Sequence, residues 1–305
     1  MSGLETIIKY SCLSDEQRWF ANRYEMSWLD ELSESDKAIV KLLDCLPDGE
    51  FSGQASAVQM YELLFEEKNN GFPPELIEDW GQILAYFNII VYEEMRHGLI
   101  LGKLTNFVKT GSHNYFQELS TKEYSKNFIW CYEERRFWDL YSYLLCHLFG
   151  EVINTELYRD VKDEIEHVEL KNVISNVMKD EARHTSAWTA LIKDLIVANP
   201  VHKERALKTL DRALLYHNAM SHKRFFEGQN KMLTLFKKAK SPSDTEGTIE
   251  RIIAKKLTIL DDLFGDDHPY DKKSLKDLHM GFLAKTMTAK TAKYTDVTED
   301  NLELA

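Results

Sequence analysis

Apolar residues recur at three- and four-residue intervals through most of the chain, the spacing that lines one face of an α-helix. The pattern predicts an all-α protein with core helices near 51–69, 75–109, 126–159 and 165–198. Breaks are expected at Leu46-Pro47-Asp48-Gly49, at Asn69-Asn70-Gly71-Phe72-Pro73-Pro74, in the polar run Arg159 to His167, and at Asn199-Pro200. Two shorter helices fit within 14–46. An amphipathic helix carrying Leu207, Leu210, Leu214, His217 and Phe225 fits 203–238, and Ser241 to Gly247 reads as a linker before a short helical tail. Thr295 to Ala305 is a polar end. The expectation is one domain over 1–305, with its core in 50–200, an extension at 203–238, and linker and tail at 241–305.

Two of the apolar stripes are interrupted in the same way. One runs Ile83, Phe87, Ile90, Glu94, His97, Leu101, Leu104, and the other Leu170, Ile174, Val177, Glu181, His184, Trp188, Leu191. Each places a Glu and a His three residues apart, one helical turn, on the face that should be buried. A buried carboxylate without a partner costs several kcal/mol, so a chain that does this twice must supply a cation or a closed polar network. A carboxylate and an imidazole one turn apart point at a common metal ion, and two facing pairs point at two ions. The alternative is a pair of Glu/His/Arg networks without metal.

The residues around the pairs repeat as well: Glu93-Glu94-Met95-Arg96-His97 and Asp180-Glu181-Ala182-Arg183-His184. A metal-bound His usually donates its second ring N–H to a carboxylate. The repeat therefore predicts that each leading acid serves the His of the opposite motif, Asp180 to His97 and Glu93 to His184, with Arg96 and Arg183 balancing charge. Ordinary surface ion pairs at i,i+3 are the competing explanation.

These two motifs resemble those of the ferritin-like non-haem di-iron oxygenases, a group that includes multicomponent hydroxylases, benzoyl-CoA epoxidase and acyl-carrier-protein desaturases. The continuation to Gly98 is desaturase-like. The resemblance covers roughly residues 50–200 and implies a ferritin-like four-helix bundle core with extra N- and C-terminal helices. It also implies two iron ions, with dimanganese or mixed manganese–iron as alternatives, held by Glu94, His97, Glu181, His184 and one further Glu from each of two other helices. Glu94 and Glu181 are the expected bridging carboxylates.

The stripe Leu144, Leu148, Glu151, Thr155, Tyr158 has one acid in its middle, and an antiparallel hairpin turning near 166 levels Glu151 with Glu181. Glu134 and Glu156 compete from off the stripe. For the first helix, Phe51, Ala55, Val58, Glu62, Phe65 places Glu62 on an apolar face at about the spacing of the resembled families. The evident turn at 69–74, however, levels Glu94 with Glu50 unless a break at Gly81 shifts the register. Glu62 is the expected ligand and Glu50 the alternative. Thr155 stands where the resembled hydroxylases keep an active-site threonine, although a helix-interior Thr also bonds its own backbone.

Composition removes other function classes. With 305 residues, 44% hydrophobic, the chain can bury a large core, and no long apolar stretch predicts a membrane span. A net charge of −12 argues against nucleic acid as a partner. Without a basic start and apolar run, no secretory signal is expected and a cytoplasmic location is the default. Cys12, Cys45, Cys131 and Cys146 form no C-x-x-C pair, so electrons would come from an external donor such as a ferredoxin or flavin reductase, unless the substrate itself supplies them. The partners expected are that donor, a small-molecule or acyl substrate, and a second copy in a homodimer. Oxygen insertion into a small organic substrate ranks first and acyl desaturation second. A ribonucleotide reductase radical subunit fits less well, since Leu101 stands where its tyrosine would be, and a ferroxidase would be a shorter chain.

Overall fold

The structure, a computed structural model, describes residues 3–21, 24, 26–51, 53–113, 139–219 and 242–278, and these are helices joined by short turns, with no strand among them. In chain order the helices are α1 (Gly3–Glu16), α2 (Glu34–Leu42), α3 (Leu46–Phe51), α4 (Gly53–Asn69), α5 (Pro74–Asp79), α6 (Gly81–Thr110), α7 (Leu140–Glu164), α8 (Val168–Ala198), α9 (Pro200–Ala219) and α10 (Pro242–Phe264). Part of the expected helix at 126–159, including Glu134, lies outside the described residues. So do Phe225 with the far half of the helix expected over 203–238, and Thr295 to Ala305.

Local chemistry explains most boundaries. Ser33 accepts the Asp36 amide to start α2, and Asp139 starts α7 through a capping box with Ser142. Gly111, at φ 70°, closes α6 in the left-handed conformation that its Cβ-free backbone allows. Gly81 does separate a short α5 from α6. Two expectations fail here. The first N-terminal helix is Gly3–Glu16, most of it ahead of the 14–46 window, and a 3-10 turn at Ser27–Glu31 precedes α2. Residues 242–247 of the supposed linker are the first turns of α10, which opens on Pro242; proline at the first helical position is favourable, and polar residues suit a helix start as well as a loop.

Helices α7 and α8 form a long antiparallel hairpin joined at Ile165 to His167. Helix α6 packs on α8, on α3 and on α4, which also touches α7; α1 lies across α6 and α8, while α9 and α10 cover α7. Two apolar blocks result. One joins Ile83, Phe87, Leu144, Leu148, Trp188 and Leu191 to α9 and α10. The other joins Leu101, Leu104, Tyr158, Val161, Ile174 and Val177 to Trp19, Trp28 and Val40. Between them, at the middle of α6, α7 and α8, lies a layer of charged residues. No helix among the described residues is long and apolar enough to cross a membrane.

Candidate metal centre

The charged layer is built from both sequence motifs. Glu93, His97, Glu181 and His184 have no solvent exposure, and Glu94, Glu151, Glu50, Asp180, Arg96 and Arg183 are all buried. Helix periodicity explains the placement: in α6 and α8 the Glu and His follow the same stripe that buries Ile90 and Val177 one turn earlier.

Each imidazole is oriented by the other motif. His97 Nε2 lies 3.0 Å from Asp180 Oδ2, and His184 Nε2 lies 2.7 Å from Glu93 Oε2, so the crosswise pairing expected from the repeat is the one present. Arg96 donates to Asp180 at 2.7 Å and to Glu93 at 3.2 Å; Arg183 donates to Glu93 at 2.7 Å and to Asp180 at 2.8 Å. Two acids and two guanidinium groups thus form a closed outer ring whose charges cancel. Burial alone would raise Glu93 and Asp180. Hydrogen bonds from His184 and Arg183 to Glu93, and from His97 with both arginines near Asp180, outweigh it and hold both acids below the usual carboxylate range.

With Nε2 held outward, each Nδ1 faces inward. His97 Nδ1 is 3.2 Å from Glu181 Oε1, 3.6 Å from Glu94 Oε2 and 3.7 Å from Glu50 Oε2. His184 Nδ1 is 3.2 Å from Glu94 Oε1, 3.7 Å from Glu151 Oε2 and 3.8 Å from Glu181 Oε2. Glu94 and Glu181 therefore give one oxygen to each half of the site. Glu50 closes one half and Glu151 the other, and in each half the four ligand atoms lie within 4.8 Å of one another. Ligands about 2.0–2.2 Å from a shared ion stand roughly 3–3.5 Å apart, close to these spacings. Both Nδ1 atoms, both Glu181 oxygens, Glu94 Oε1 and Glu151 Oε2 are buried without a hydrogen-bond partner, although such atoms are nearly always satisfied in folded proteins.

The charge count points the same way. Because the outer ring cancels, the four inner carboxylates are left uncompensated, and two divalent cations would neutralise them. In the metal-free protein, protons take that place. Burial and the neighbouring Glu94 push Glu50 up to about 8, and burial with Glu181 pushes Glu151 well above the carboxylate range. His97 and His184, which burial would lower, are raised well above their ordinary value by the surrounding carboxylates. The residues fit a pair of transition-metal ions, for which carboxylate and imidazole are suitable donors.

Of the six expected ligands, the structure brings together Glu94, His97, Glu151, Glu181 and His184, and it does not bring Glu62. Glu62 lies more than two turns inside α4, and Glu50 on α3 stands in its place. The break at Gly81 leaves the hairpin register unchanged, so the turn at 69–74 levels Glu94 with Glu50. Thr155 is buried beside Glu151, but its hydroxyl proton goes to the Glu151 carbonyl at 2.8 Å, just as Thr185 donates to the Glu181 carbonyl at 3.0 Å. The expected catalytic Thr155 is in this respect an ordinary helix-interior threonine. Glu156 instead binds Arg251 and Arg159, away from the centre.

Several participants had no sequence signal of their own. Trp19 donates its indole N–H to Asp180 at 2.7 Å, and its ring is nearly parallel to His97, with centroids 6.1 Å apart and planes 8° from parallel. Ser14 donates to Glu93, Gln17 accepts from Arg183 at 2.8 Å, and Tyr158 donates to Glu50 Oε1 at 2.5 Å. Only Tyr158 stood on a stripe already singled out.

No family model, curated protein or solved structure matches the chain, so the functional reading stands on this geometry and on the motifs.

Proposed function

We propose that the chain is a ferritin-like di-iron oxidoreductase that uses dioxygen to oxygenate a small organic substrate. The observation that carries the reading is the pair of inward Nδ1 atoms sharing Glu94 and Glu181, each half closed by one further carboxylate. Contacts that run from α4 to α6, α6 to α8, α8 to α7 and α7 back to α4 support the ferritin-like reading, with Glu50 supplied from α3 beside α4. Glu50, Glu94, His97, Glu151, Glu181 and His184 would hold two ions, iron first, with manganese or a mixed pair as the alternative. A bound pair of redox-active ions supplies two electrons for reduction of dioxygen.

The chain's own residues do the rest. Asp180 and Glu93 fix the tautomer of each His so that Nδ1 is the free donor, and Arg96 and Arg183 keep both acids ionised. The two apolar blocks exclude water from the layer. An external electron donor, such as a ferredoxin or flavin reductase, returns the electrons consumed in each turnover. The test is metal analysis of protein reconstituted anaerobically with ferrous ion and then desalted. Two irons per chain are expected, with oxidation on admitting dioxygen; a chain retaining neither iron nor manganese overturns the reading. Once a substrate is found, isotopically labelled dioxygen separates oxygen insertion, which labels the product, from desaturation, which does not.

A further inference from the structure

The arm that carries Glu50 is built unlike the other three carboxylates. Glu94, Glu151 and Glu181 sit well inside helices of 30, 25 and 31 residues, whose hydrogen-bond ladders fix their positions. Glu50 is the penultimate residue of the six-residue α3, and a helix so short has little stability of its own. Two contacts from neighbouring helices hold it. The Phe51 ring lies where a Cβ on residue 98 would meet it at 2.9–3.0 Å, so the bare Gly98 lets α3 lie directly on α6. From the opposite side, the fully buried Tyr158 of α7 donates to Glu50 Oε1, which leaves Oε2 facing His97 Nδ1. The other half shows no such arrangement among the described residues: Glu151 turns Oε2 toward His184 Nδ1 with no tyrosine hydroxyl on its carboxylate, and the buried Tyr86 hydroxyl has no hydrogen-bond partner.

We propose that Tyr158 is a positioning residue for the metal pair: by occupying one oxygen of Glu50 it makes that carboxylate a single-oxygen ligand and tightens the ion in the Glu50–His97 half. The proposal rests on the dimetal reading. It acts on one ion of two, whereas a general packing role would act on both or neither. Removing such an outer hydrogen bond typically weakens a metal about 10- to 100-fold.

The experiment is titration of metal-free protein with cobalt(II), followed by its visible absorption, in wild type, Tyr158→Phe, Glu50→Gln and the double variant, each checked for retained helicity. Wild type takes up two ions. Tyr158→Phe weakens one of them about 10- to 100-fold and leaves the other unchanged, splitting the titration. In the Glu50→Gln background the same change has no further effect, because Tyr158 acts through Glu50. Unchanged affinities in Tyr158→Phe, equal weakening of both ions, or an undiminished effect in the Glu50→Gln background overturns the role of Tyr158 while leaving the dimetal reading intact. Wild-type protein that takes up no ion overturns both.

Discussion

Each inner histidine depends on a specific neighbour. His97 can present Nδ1 inward only while Asp180 holds its Nε2 proton outward, and Asp180 in turn accepts from Trp19, Arg96 and Arg183. Asp180→Asn keeps the shape but removes a charge from a ring whose two guanidinium groups it helps to balance. Metal affinity is expected to fall about 10- to 100-fold. Stability should fall by about 3–5 kcal/mol, the usual cost of leaving buried charges uncompensated. Metal titration and urea unfolding check the two effects; wild-type values in both would show that the crosswise bond carries no weight. These contacts also mark what a sequence can reveal at this scale. The Asp180–His97 and Glu93–His184 pairs were legible because the motif occurs twice and each copy supplies what the other lacks. Trp19, Ser14 and Gln17 were not, because they reach the ring from α1 and the irregular stretch after it, where no periodicity says which way a side chain points.

At the scale of the element, the helices α6 and α8 followed from their stripes, since thirty residues of consistent spacing fix which face is buried. The first carboxylate did not follow. Its level against Glu94 depends on the geometry of one turn and on a six-residue helix too short to show a period, so Glu62 and Glu50 both satisfied the pattern. Gly98, which had looked like a family signature, has a local cause in the Phe51 ring that covers it. Gly98→Ala would drive a Cβ into a buried aromatic ring, and overpacking of this kind costs about 1–3 kcal/mol. The variant should unfold at lower denaturant concentration, and because Phe51 neighbours Glu50 it should also weaken metal binding. Stability and affinity equal to wild type would mean that α3 can shift without consequence. By contrast, α10 was misread because a proline followed by Ser, Asp, Thr and Glu is as good a helix start as it is a linker.

For the whole molecule, the central layer links stability to pH and to metal. Without metal, Glu50 sits at about 8 in the folded protein against an ordinary value near 4.5, and Glu151, His97 and His184 are raised as well. A group raised on folding contributes stability that is complete below its unfolded value and is lost as pH climbs through its folded value. For Glu50 that window runs from about 4.5 to about 8. The metal-free protein is therefore expected to lose stability over this range, whereas bound cations replace the protons and remove the loss. Melting temperatures with and without a chelator should diverge steadily from pH 5 to pH 8, and loading should release protons, which calorimetry in buffers of different ionisation enthalpy detects. A gap that stays constant or narrows with rising pH would contradict the assignment of these groups to one cation site.

The cancellation of charge in the outer ring has one more consequence. Two divalent ions held by the four inner carboxylates would bring the enclosed region to electroneutrality, and withdrawing an electron from either would leave an excess positive charge between apolar walls. Oxidation of such a pair would be coupled to the loss of a proton or the entry of an anion, and one proton lost per electron would lower the midpoint potential by about 59 mV for every pH unit.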